Sequence, residues 1–123
     1  MRPEVIRLVE LGPLPTEDDE RPEDEIVALL SEYERNLDAL ERPVTDEEAM
    51  ALLKVFHPSG DSCFGLAWTL LHSIETAPNW PARPATSEMG KAFESRLQGS
   101  DEPWLQFLWQ RILNWRERHE AES

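Results

Sequence analysis

Between Pro22 and Arg42 the apolar residues Ile26, Leu29, Leu30, Tyr33, Leu37 and Leu40 recur at intervals of three and four. That spacing puts them on one face of an α-helix, whereas the period of two in a strand would scatter them over both faces. Glu23, Asp24 and Glu25 precede the stripe, at the positive end of the helix dipole, and Arg42-Pro43 ends it. Burying six such side chains at roughly 1.5–3 kcal/mol each contributes on the order of 10 kcal/mol before entropy, so the stripe is core. The opposite side of the same helix is acidic.

The remaining segments repeat the pattern. Arg2 to Gly12 reads as a short helix with Pro3 in its first turn and Gly12 past its end. Its β-branched Val5, Ile6 and Val9 also suit an extended segment, but no second strand exists to pair with it. Gly12-Pro13-Leu14-Pro15 breaks the chain, and Thr16 to Glu20 is a polar acidic linker. Thr45-Asp46-Glu47-Glu48 has the form of a capping box and opens a helix through Met50, Leu53 and Phe56. After the turn His57-Pro58-Ser59-Gly60, Asp61 or Ser62 caps a helix that is uncharged from Cys63 to Ile74, and apolar on nearly every side. Such a helix is expected to be central. A proline-stiffened loop, Ala77 to Pro84, leads to a shorter helix opened by Thr86 or Ser87 and stopped at Gly99. The last helix begins near Pro103 and carries Trp104, Leu105, Leu108, Trp109, Ile112, Leu113 and Trp115.

The pattern predicts an all-α, single-domain bundle of about five helices packed around a central apolar helix at about 62–77. Residues 1–22 form an N-terminal segment and acidic linker, and 23–119 the helical core. A chain of 123 residues fits one core, and a 40% hydrophobic content with five tryptophans is too rich for disorder. No basic N-terminal region is followed by an apolar stretch and no apolar run approaches the roughly 20 residues that span a bilayer, so neither export nor a membrane is expected. Cys63 is the single cysteine, so no internal disulfide forms and a reducing compartment, the cytoplasm, is expected. Ten arginines to two lysines is a bias of GC-rich genomes and points to a bacterium.

Charge is distributed unevenly. Residues 16–48 hold fourteen carboxylates and three arginines, so 14 − 3 = 11 of the net −13 falls there, while residues 49–123 hold nine acids against seven bases. Adaptation to a saline cytosol would spread the acids over the whole surface. A field of one sign repels nucleic-acid phosphates and steers cations, so the expected partner is a basic protein surface, with no nucleic acid and no membrane. The residues expected to meet it are Glu23, Asp24, Glu32, Glu34, Asp38, Glu41, Asp46 and Glu47. Trp80, held between prolines, is the expected apolar anchor, unless it folds back as a lid on the helices.

Catalytic chemistry has weaker support. Cys63 near a helix start, with His57, Asp61 and His72 close in sequence, has the composition of a thiol site, but none of the surroundings of a catalytic cysteine is present. His72 and Glu75 offer two metal ligands where a site needs more. Phosphate loops, serine elbows and paired metal cysteines are missing. No catalytic residue, cofactor or metal is therefore expected. The favoured function is an acidic binding module that neutralises a basic protein, such as a bacterial toxin. Immunity proteins and antitoxins are similar in kind, although no motif carries the similarity. The alternatives are a small thiol- or metal-dependent enzyme centred on Cys63 and His72, and a structural adaptor.

Overall fold

A computed structural model of the chain describes residues 1–120. Among them every regular element is helical: α1 (Pro3–Leu11), α2 (Glu23–Ala39), α3 (Asp46–Leu52) continued by a 3-10 turn (Leu53–Val55), α4 (Leu66–Ile74), α5 (Glu88–Gln98) and α6 (Pro103–Glu120). The all-α bundle holds, with six helices for the expected five or so.

Local signals set several helix ends. The Thr45 hydroxyl accepts the Glu48 N–H at 3.1 Å, and the Glu48 carboxylate accepts the Thr45 N–H at 2.9 Å, completing the capping box. The Ser87 hydroxyl accepts the Gly90 N–H at the start of α5, and α5 stops at Gly99. In α2, Ile26, Tyr33 and Leu37 are buried while Glu23, Asp24, Glu34 and Asp38 are exposed. α1 packs on α2 and α3, α4 packs on α2 and α3, and α5 packs on α6.

The N-terminal segment belongs to the core. Val5, Leu8 and Leu14 are fully buried, the Leu14 N–H donates to the Val55 carbonyl at 2.9 Å, and the Tyr33 hydroxyl donates to the Gly12 carbonyl at 2.6 Å. The Gly12-Pro13-Leu14-Pro15 break is thus a packed crossing between α1 and α2. Residues 1–22 are continuous with the helical core at 23–119.

The expected central helix differs in length and in setting. Asp61 and Ser62 do not cap it, because Cys63, Phe64 and Gly65 all take left-handed backbone, with φ of 52°, 59° and 85°. The helix therefore starts at Leu66 and ends at Ile74, inside the 62–77 expected. Asp61 Oδ1 instead accepts the Cys63 N–H at 2.7 Å and stabilises the turn. Gly60, at φ 83°, is also required, since a Cβ there would lie 2.8 Å from Pro103 Cβ. α4 buries Ala67, Leu70, Leu71, Ser73 and Ile74 but leaves Trp68 and His72 outside. An uncharged helix is thus not buried on all sides: the outer side of α4 carries the aromatic ring of Trp68.

Candidate functional site

The eight carboxylates expected to meet a partner fall into three groups. Glu23, Asp24, Glu34 and Asp38 lie on α2 away from the core, because the helical repeat that turns Ile26, Tyr33 and Leu37 inward turns these outward. Their carboxylates make no hydrogen bond or ion pair among the described residues. Arg35 lies among them, sharing a shallow hollow with Glu34 and Asp38. These four form the open acidic face.

Glu32 and Asp46, both partly exposed, are engaged by other groups of the chain. Glu32 accepts from Arg7 of α1, and that hydrogen bond lowers its pKa from the ordinary carboxylate range. Asp46 accepts the Asn79 backbone N–H at 2.9 Å and the Asn79 side-chain amide at 2.6 Å, which fastens the proline-rich loop to α3. Glu41, between α2 and α3, and Glu47, on α3, are exposed. The Glu41 carbonyl accepts from Arg2 at 2.7 Å.

Trp80 is half-buried. Its ring centroid lies 5.3 Å from that of Phe93, and its backbone N–H donates to the Ala77 carbonyl at 3.0 Å. It lines a hollow of about 340 Å³ together with Arg111, Trp115 and Arg118 of α6. Glu75, paired with Arg111, lines that hollow too, and none of the carboxylates of α2 does, so Trp80 has a setting different from the acidic face.

The cysteine and histidines are not brought together. Cys63 is fully buried, and its thiol faces the Asp61 carbonyl at 3.4 Å and the Leu14 carbonyl at 3.7 Å. Burial, reinforced by the Asp61 carboxylate, pushes its pKa up to about 12. That is opposite to the activation a helix start gives. The His57 ring bonds Ser59 at 2.8 Å, and His72 Nδ1 stands 3.9 Å from Glu75 on the surface. Glu75 is already held by two 2.9 Å hydrogen bonds from Arg111. Among the described residues no group of three or more His, Cys, Asp or Glu side chains is placed to hold a metal. Thiol-specific labelling of the native protein should accordingly proceed only as fast as the chain opens. Full reaction of Cys63 within the mixing time, under conditions where the protein stays folded, is the contrary result.

Sequence reasoning missed an exposed aromatic cluster. Trp68 of α4 and Phe107 of α6 are 43% and 39% exposed, their ring centroids 5.6 Å apart and perpendicular. Both pack edge to face on buried Trp104, at 5.1 and 5.7 Å, and Trp104 stacks on Phe56 at 5.4 Å. Phe64, on the turn before α4, is 47% exposed. A signal for Phe107 was present: it falls off the stripe Trp104, Leu105, Leu108 and Ile112 and is flanked by Gln106 and Gln110.

No helix among the described residues is long and apolar enough to cross a membrane. No family model matches the chain, and neither a curated protein nor a solved structure matches it at a significant level.

Proposed function

We propose that the chain is an acidic protein-binding module of the immunity or antitoxin kind, which neutralises a basic protein by covering its cationic surface with carboxylates. The observation that carries the reading is the open face of α2, where Glu23, Asp24, Glu34 and Asp38 stand unpaired. Like charges along one helix face repel one another, and arginines elsewhere in the fold satisfy Glu32, Glu48, Glu75 and Glu94. Four carboxylates with Arg35 as the base among them leave this helix face net negative, a self-repulsion that a cationic partner relieves. Its action is binding rather than catalysis, and a bacterial cytoplasm suits its single unpaired thiol.

Long-range attraction acts mainly on the association rate, and it is screened at a Debye length of about 8 Å near physiological salt. A basic partner is first isolated by pull-down at low salt, and the gene next to this one is its natural candidate. Association is then measured by stopped flow. Replacing Glu23, Asp24, Glu34 and Asp38 together with lysine should slow it by on the order of tenfold or more, with dissociation changed less. The Glu32→Gln and Asp46→Asn variants, whose carboxylates are already held by Arg7 and Asn79, should slow association less than the fourfold change. An association rate equal at about 50 mM and about 500 mM salt would sink the proposal, as would a fourfold lysine variant that associates like the native chain.

A further inference from the structure

We infer that the aromatic surface made by Trp68 and Phe107 over Trp104 is the apolar anchor for the cationic partner, and that it takes a basic amphipathic segment. This inference rests on the binding function proposed above and names the part of the surface that holds the partner once charge has brought it in. Rim charges alone seldom give tight binding, and the tightest contacts of an interface gather on aromatic anchors from which water is excluded.

Three features support the assignment. The rings are fixed before any partner arrives: Trp68, Phe107 and Trp104 brace one another edge to face, and the Trp104 indole N–H donates to the Asp61 carbonyl at 2.9 Å. Fixed rings lose little freedom on binding. Between them lies a hollow of about 360 Å³, lined also by Gly60, Ser62 and Pro103, with room for a leucine or phenylalanine side chain. It is an apolar socket at the surface.

The third feature is charge. Asp61 stands between Gly60 and Ser62 of the lining, and Asp101 stands two residues before Pro103. The carboxylate of Asp101 has no partner among the described residues, whereas Arg96 is already paired with Glu102 at 3.4 Å. No carboxylate lines the socket itself, but Asp61, whose Oδ1 accepts the Cys63 N–H, and exposed Asp101 lie beside it along the chain and make its surroundings acidic, and aromatic rings also draw arginine and lysine. A second copy of the chain would bring the same acidic surroundings and another net −13, so self-association is opposed. The complementary occupant is a helix or strand with an apolar side chain flanked by lysine or arginine.

The test uses three synthetic peptides of equal length: one of leucine and lysine in an amphipathic order, one of lysine and serine, and one of leucine and glutamate. Binding is followed by the indole N–H resonances of the five tryptophans and by titration at low and high salt. The leucine–lysine peptide should bind best, move the Trp68 and Trp104 resonances more than that of Trp80, and lose at least about tenfold in affinity with Phe107→Ser or Asp101→Lys. Phe107 is partly exposed, so its serine variant should stay folded. Trp68→Leu, which keeps an apolar side chain on Trp104, provides a second variant.

Equal, salt-sensitive binding of the lysine–serine peptide, without movement of Trp68, would overturn the anchor while leaving the acidic binding function standing. Binding of the leucine–glutamate peptide as tightly as the leucine–lysine peptide would overturn the charge preference of the socket. If neither lysine peptide binds at low salt, the inference and the function it rests on fall together. A dimer that forms at low salt and is broken by Phe107→Ser would assign the surface to a second copy and overturn the inference.

Discussion

Glu48→Gln should lower the unfolding free energy by about 3 kcal/mol near neutral pH, and the deficit should shrink as the solution is acidified. Glu48 is 1% exposed and holds the start of the chain to the start of α3. One oxygen accepts the Arg2 backbone N–H and Nε, each at 3.0 Å, and the other accepts an Arg2 guanidinium nitrogen and the Thr45 N–H, each at 2.9 Å. A carboxylate receiving four donors fills its lone-pair positions, whereas an amide presents its own N–H groups to some of those donors. The hydrogen bond from Arg2, followed by those from the Thr45 and Arg2 backbones, overcomes burial and holds the Glu48 carboxyl down to about 2 from an ordinary 4.5.

A carboxyl whose pKa is depressed by folding stabilises the fold above its unfolded pKa and loses that contribution as pH falls through its folded value. The window therefore runs from about 4.5 down to about 2, and a difference of that width corresponds to roughly 3 kcal/mol. Denaturant titrations of native chain and variant should differ most above about pH 5 and converge toward about pH 2. A gap that stays constant over the acid range would mean that Glu48 is not held as an ion in the fold.

The Glu48 contact also marks what the sequence made legible. Thr45 and Glu48 are three residues apart and follow a helix-capping rule, so their mutual bonds could be read from spacing alone. Arg2 is forty-six residues from Glu48, and no local rule pairs them. The same limit applies to the candidate site. The helical repeat correctly placed Glu23, Asp24, Glu34 and Asp38 outside, because burial on a helix follows periodicity. It had no means of showing that Glu32 meets Arg7 or that Asp46 meets Asn79, since those contacts depend on how α1 and the proline-rich loop return to the core. The turn at Cys63 to Gly65 was hidden for another reason. Cysteine and phenylalanine rarely adopt positive φ, so the residues themselves argued for helix. Starting the helix at Leu66 instead of about 62 changes the setting of the aromatic residues that follow, and with it the surface that carries Trp68.

Trp104→Ala should be among the most destabilising single changes in the chain, at about 3–5 kcal/mol, the range for truncating a buried large aromatic. Trp104 is the point at which α6, α4 and the turn between the 3-10 segment and α4 meet. Its ring stacks on Phe56, receives the edges or faces of Trp68 and Phe107, and is 6% exposed. Its indole N–H reaches the Asp61 carbonyl at 2.9 Å. Trp104→Phe separates the two contributions: the smaller ring keeps much of the stacking while the Asp61 carbonyl loses its N–H donor and retains the weak thiol contact from Cys63 at 3.4 Å. That variant should lose about 1–2 kcal/mol. The loss should also be local, because the indole ties the Asp61 carbonyl to α6 while the Asp61 side chain holds the Cys63 N–H in the turn that places Cys63 inside. Thiol labelling of Cys63 should then become faster in Trp104→Phe than its global stability alone accounts for, through opening of residues 60–65 without unfolding of α2. Labelling that simply tracks global unfolding in both variants would show that the indole hydrogen bond does not hold the turn. An alanine variant within about 1 kcal/mol of the native chain would remove Trp104 from the centre of the core.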